Sequence, residues 1–282
     1  MPFPEENEFT FSTGISLNTG PDADGVLMTC ATLDGWGSPG SKTSGTSREG
    51  EHGESPAPNP KLQARTLQLT GRIEAPSILL RQQAEHRLQA AMSLNLFDLT
   101  VVDGIPLRVT AQRSGEISRA DDTDTKVTWQ AELKCPDPRR YGDDQQLLLN
   151  LPSVTGGVRF PLRFPVQFTG SSTSGDSTVV NAGNETAPAV VTFTGPLTTP
   201  KLTNLLTGQW VQYNDTLASG EFVVLYLRNP LVALLQGTAL RTGKVSTGGG
   251  GTWGIKPGSN AIAFRAATGS GTALLEFSDT YQ

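Results

Sequence analysis

The sequence predicts a mainly β protein in two parts: an N-terminal antiparallel sheet or split barrel carrying one helix, then a C-terminal β-sandwich. Three observations predict it. Gly and Pro are abundant, at 31 and 19 of 282 residues, and charge is sparse, which is the profile of turn-rich β structure. Apolar residues alternate at period two along most of the chain, and only the stretch at about 77–92 carries helical spacing. Finally, Cys135-Pro-Asp-Pro-Arg-Arg-Tyr141 ends the alternation of the first half, because Pro136 and Pro138 lack a backbone donor and fix φ.

Taken in order, two strands open the chain, Phe9–Leu17 and Val26–Thr32, with turn residues from Asn18 to Asp22 between them. Leu33–Ala64 is dense in Gly, Pro, Ser and charge and nearly devoid of apolar side chains. Loops beyond about 12–15 residues inside a domain are functional or disordered. Such a segment cannot offset its own ordering entropy, but a neighbouring subunit can order it. Leu67, Leu69 and Ile73 then alternate along the strand Arg65–Ala75.

Pro76 interrupts that strand and Ser77 is a suitable N-cap. In the helix that follows, Leu80, Ala84, Leu88, Ala91 and Met92 share one face, so Arg81, Gln82, Glu85 and Gln89 are expected in water. Asp103-Gly104 joins the strands Phe97–Val102 and Ile105–Arg113 as a hairpin, since a type I′ turn needs positive φ at both centres. Arg119–Thr125 reads as an acidic turn. In the strand Lys126–Cys135, Val127, Trp129, Ala131, Leu133 and Cys135 lie on one face.

Beyond Tyr141 the chain reads as short strands separated by turn residues. The candidates are Arg159–Phe168, Ser177–Asn181, Ala189–Thr194, Lys201–Asn204, Gln209–Tyr213, Glu221–Leu227, Leu231–Leu235, Asn260–Ala266 and Ala273–Phe277. Pro161 and Pro165 send the first to an edge. Gly248–Gly251 is a loop tip.

The net charge of −5 is uneven: residues 1–150 hold 14 Lys/Arg against 21 Asp/Glu, and residues 151–282 hold 8 against 6. Neither half is a basic footprint for nucleic acid. Met1-Pro-Phe-Pro-Glu-Glu6 is acidic and lacks an apolar core, so no signal peptide is expected, and no apolar run reaches membrane-span length. Cys30 and Cys135 are expected to be small buried hydrophobes rather than a disulfide or zinc pair.

Chemistry-bearing patterns are few, and no catalytic, cofactor or metal residue is expected. His52 and His86, the two histidines, fall in the long loop and on the polar side of the helix. No Ser or Cys has a nucleophile-elbow context, and no Gly-rich loop ends in the Lys-Ser/Thr of a phosphate cradle. Asp121, Asp122 and Asp124 begin like a calcium loop, but its sixth and twelfth places hold Lys126 and Glu132, so a solvated turn is expected. Nothing pairs Glu221 with Glu276 across a glycosidase cleft. Arg139-Arg140 is either a solvated linker or a dock for acidic surface such as Asp143-Asp144. Trp210, Tyr213, Tyr226 and Trp253 either fill the sandwich core or form a stacking platform for sugar, with Trp210, Tyr213 and Trp253 as the candidate glycan contacts.

Cys135-Pro-Asp-Pro-Arg-Arg-Tyr-Gly142 resembles the domain junction of siphophage distal tail proteins. Further segments match in the same order: Leu33-Asp-Gly35, Arg48-Glu-Gly-Glu-His-Gly53, Thr66-Leu-Gln-Leu-Thr-Gly-Arg72, Asn181-Ala-Gly-Asn184, Phe193-Thr-Gly-Pro-Leu197, Trp210 with Tyr213, Gly220-Glu221, Lys256-Pro-Gly-Ser-Asn260 and Leu274-Leu-Glu-Phe-Ser-Asp-Thr-Tyr281. The chain is most similar to minor tail proteins of this kind in phages of actinobacteria. The resemblance implies a ring-forming belt domain over 1–142, with a long loop at 33–64 and a helix at about 77–92, a linker at 143–157 and a galectin-like β-sandwich over 158–282. It also implies a structural, non-enzymatic role at the distal end of the virion tail, after assembly in the host bacterial cytoplasm.

The partners it implies are further copies of the chain in a homohexameric ring (a trimer being the alternative), the tail tube protein and the tail-associated or tip protein. Pro136 and Pro138 become an interdomain hinge, and the 33–64 loop, where the chain departs from the family pattern, becomes an arm for a ring neighbour. The alternative function is an adhesin whose sandwich binds host cell-wall glycan.

Overall fold

In the strand Arg65–Glu74, positions 65, 67, 69, 71 and 73 are buried and those between them exposed or half-buried. The period-two pattern of the sequence is thus realised in the computed structural model. It describes residues 7–42, 46–48, 50, 52, 54–55, 60–156, 170–228, 230–250 and 253–282. The expected strand Arg159–Phe168 lies outside them, as do Gly251 and the first six residues. The fold is mainly β, with one α-helix and one 3-10 turn among the described residues. The chain divides into two units, residues 1–142 with Gln282 and residues 143–281.

Two antiparallel sheets build the first unit. One orders Ile15–Leu17, Glu8–Phe11, Phe97–Asp103 and Ile105–Arg113. Phe9–Leu17, expected as one strand, is therefore a tight pair of strands. The other sheet orders Leu27–Asp34, Arg65–Glu74, Lys126–Cys135 and Ser118–Thr123. They join where Gln112 and Arg113 pair with Lys134 and Leu133. Phe9, Phe11, Leu99 and Val101 from the first sheet, with Leu67, Leu69, Trp129 and Leu133 from the second, are buried. Trp129 fixes one glycine: a Cβ on Gly71 would stand 2.5 Å from the indole Cζ2 and 1.9 Å from the carbonyl oxygen of Thr29.

Helix α1, Ile78–Ala91, starts at Ser77, whose Oγ accepts from the Leu80 amide at 3.3 Å. Ala84, Leu88 and Ala91 are buried as expected. Arg81 and Glu85 are not in water; both are buried. The strand Ser118–Thr123 delivers Arg119 and Asp121 to them, and this strand replaces the expected acidic turn. All six of its residues are exposed, so it has no apolar alternation. Its position comes from the ladder to Lys126–Cys135. In the expected hairpin only Gly104, at φ +77°, lies outside the paired residues Asp103 and Ile105.

The long loop is paired with itself. Ser41–Lys42 pairs with Lys61–Leu62, and Thr46–Ser47 with Glu54–Ser55, as two rungs of an antiparallel arm. Ser41, Lys42, Glu54, Ser55 and Lys61 are exposed. The strand Arg140–Asn150 runs through the division at Gly142, so the residues expected as a linker begin in a strand; residue 157 is not described.

The second unit is a β-sandwich. In one sheet Ala189–Thr194 lies between Phe222–Tyr226 and Thr272–Tyr281, with Val232–Leu235 beyond. The other orders Asp176–Asn181, Gly258–Arg265, Lys201–Asn204, Trp210–Tyr213 and Val245–Gly248. Phe193 from the first stacks on Phe264 from the second, with ring centroids 5.8 Å apart. Three buried asparagines tie the loops at one end. Asn181 bonds Glu185, Ile255, Gly183 and Thr280, while Asn204 and Asn260 bond each other at 3.0 Å and the loop backbones around them. Satisfied buried amides of this kind rigidify a loop cluster.

Candidate assembly site

The parity that buries Leu67 and Leu69 also buries Arg65, which is 2% exposed. A buried guanidinium requires acceptors, and here they are backbone carbonyls. Nη1 donates to Gly35 and Trp36, each at 2.7 Å, and to Gly37, while Nε donates to Pro138 at 3.0 Å. Gly35, Trp36 and Gly37 are where the arm leaves the sheet. Gly35 sits at φ +83°, and a Cβ there would meet the Thr66 carbonyl oxygen at 2.0 Å. Burial pushes the Arg65 guanidinium down to about 10, and the charge of Arg140 adds to this. The Arg140 Cζ lies 5.4 Å from the Trp36 ring centroid. Burial also lowers Arg140, against the opposing charge of Asp103.

Between the prolines, Asp137 closes a turn upon itself. Its carboxylate accepts the Arg139 amide at 3.2 Å, the Arg139 guanidinium at 2.9 and 3.1 Å, and the Tyr141 hydroxyl at 2.6 Å. Burial opposes ionisation of Asp137, but these hydrogen bonds outweigh it and hold the carboxyl below its ordinary value. Arg139 is thus engaged by Asp137. A second charged network holds α1: Glu85 accepts from Arg81 and, at 2.7 Å, from Arg119, while Asp121 lies 3.3 Å from Arg81.

Tyr213 and Trp253, two of the three expected glycan contacts, are 1% and 4% exposed and belong to the sandwich core. Their rings present no face to a sugar, which removes them from any stacking platform. Trp210 lies on the outer side of its sheet, half-buried, with Lys201 Nζ 4.3 Å from its ring centroid. Its ring also lies across Gly248, where a Cβ would fall 2.5 Å from it. Tyr226 is exposed.

The other sequence candidates scatter. His86 and His52 are both exposed. Asp122 accepts from Thr128 Oγ1 at 2.9 Å. Cys30 and Cys135 are buried free thiols, pushed up by burial to about 12 and about 11. Among the described residues, no group of three or more His, Cys, Asp and Glu could hold a metal, and no helix is long and apolar enough to cross a membrane.

These residues form a rooted arm, a self-bonded turn and two packed cores. A solved structure similar along the whole chain is the Dit protein of phage SPP1, described as a paradigm of the hub adsorption apparatus in phages infecting Gram-positive bacteria. The TM-score is 0.62 at 13% identity, covering 98% of this chain and 99% of that one. The chain shares the SPP1 Dit fold. A chain of the phage P2 baseplate, in its activated conformation with Ca, is similar at TM-score 0.51 and 8% identity, with 98% of each chain covered. No protein-family model matches the sequence, and no curated protein is similar to it in sequence.

Sequence reasoning passed over Arg65 and set Arg81 and Glu85 in water, where the structure buries them. Arg65 had a usable signal, since it is in phase with Leu67, Leu69 and Ile73. Arg81 and Glu85 had none, because what covers them is an exposed strand without apolar alternation.

Proposed function

We propose that this chain is a structural subunit of a phage tail tip: a distal tail hub that closes into a ring and joins the tail tube to the tail-associated protein and the adsorption apparatus. The observation that carries this reading is the correspondence with SPP1 Dit along both units, at 98% coverage of the chain. A ring of six copies is the form expected, at the distal end of the virion tail, with no chemistry of its own.

The arm supports the same reading. An isolated two-stranded ribbon is marginal in water, and the arm's described side chains are mostly exposed. A neighbouring copy supplies the surface that such an arm lacks. Pro136 and Pro138, with the Asp137 turn between them, stiffen the chain ahead of the second unit. Negative-stain microscopy of the purified chain tests the proposal. Rings with a central hole are expected, and a monomer at assembly concentrations would overturn it. The adhesin reading keeps one candidate contact, Trp210; it requires glycan binding that disappears in Trp210→Ala while the fold survives.

A further inference from the structure

Helix α1 carries an unusual outward face. A surface helix ordinarily exposes charged residues opposite its apolar stripe. Here the exposed positions include Gln82, Gln83, His86 and Gln89, and the one exposed Arg, Arg87, is paired with Asp22 at 2.8 Å. Depletion of charge is the compositional mark of an interface core. Large aliphatic side chains stand exposed at both ends. Ile78 and Leu79 in the first turn are 48% and 64% exposed, and Leu94 and Leu96 just past the last turn are 68% and 60% exposed.

Helix α1 is 14 residues long, about 21 Å at 1.5 Å per residue, and one patch lies at each of its ends. None of the described residues covers either patch. Two-fold dimers reuse one patch on both subunits, whereas a ring requires two different patches, one meeting the other on the next copy. A foreign partner seated on one patch would leave the other unexplained. Two uncharged aliphatic patches at opposite ends of one rigid helix satisfy the ring requirement.

We propose that Ile78 and Leu79 of one copy pack against Leu94 and Leu96 of the next, so that α1 spans each subunit from one ring contact to the other. This rests on the ring reading above and names the surfaces that make the ring.

The test compares the full-length wild type with Leu79→Glu, Leu96→Lys and the double variant Leu79→Glu/Leu96→Lys, by light scattering and negative stain. Circular dichroism and thermal melts check that each variant is folded, which their exposed positions lead one to expect. Each single variant should lose the ring even at concentrations about tenfold above those at which the wild type assembles, because it buries an unpaired charge at every contact. The double variant should regain rings, since each contact then sets Glu against Lys. Singles that assemble like the wild type would overturn the assignment of these patches. Folded singles that fail to assemble, with a double that also fails, would overturn the pairing of one patch with the other. A wild type that is itself monomeric would instead overturn the hub reading, so the two failures are distinguishable.

Discussion

Arg65 and Pro138 are joined by a 3.0 Å hydrogen bond from Nε to the proline carbonyl, while the same guanidinium holds the carbonyls of Gly35, Trp36 and Gly37. One side chain therefore roots the arm and grips the turn that ends the first half of the chain. No carboxylate takes part in these bonds, so among the described residues the cation is held by peptide dipoles.

Arg65→Met should take donors from four carbonyls, in a bond that is buried at Trp36 and in bonds that are part-buried at Gly35, Gly37 and Pro138. Each orphaned group costs about 1–3 kcal/mol, and a loss of about 3 kcal/mol or more is expected in urea unfolding. Arg65→Lys keeps one donor head and should lose less. A loss below about 0.5 kcal/mol for Met, the size of an ordinary surface change, would show that the bonds contribute little.

Asp137 predicts a pH dependence with a definite sign. Its carboxyl is held below the ordinary value of 3.8, so its contribution is fully present above that value and is lost as pH falls through the lower, folded value. The stability difference between wild type and Asp137→Asn should stay constant from neutrality down to about pH 5 and shrink only in stronger acid. Tyr141→Phe, which removes the 2.6 Å bond, should raise the Asp137 titration seen by carbon-detected NMR. An Asp137 that titrated above 3.8 in the wild type would contradict the geometry.

Glu85 and Arg119 should differ sharply. Glu85→Ala leaves Arg81 buried with Asp121, 3.3 Å away, as its acidic partner among the described residues, and breaking a buried pair costs about 3–5 kcal/mol. The Arg119 side chain is 52% exposed, so Arg119→Ala should cost no more than about 1 kcal/mol. Equal losses in chemical denaturation would mean that the Arg81–Glu85 pair is not the desolvated one.

Much of this architecture was legible in the residues. Parity places Leu67, Leu69 and Ile73 inward, and Ala189–Thr194 and Lys201–Asn204 stand as strands where alternation sets them. Helical spacing and Ser77 locate α1. By contrast, Ser118–Thr123 carries no apolar alternation, and only its partner strand makes it one. Burial of Arg81 and Glu85 follows from that same distant strand. Trp210 and Tyr213 sit in one strand on opposite parity. Which ring faces the core depended on register, which fixes Tyr213 inward and Trp210 outward.

The sequence by itself determined the alternation, the helix and the break at Pro136 and Pro138, because these depend on neighbours a few residues apart. The tertiary structure alone decided that the glycine-rich segment pairs with itself, that Arg65 anchors its root, and that Tyr213 and Trp253 fill a core. Those outcomes require groups far apart in the chain to meet, as Arg65 does with Pro138 across 73 positions. Local periodicity carries no record of such a meeting.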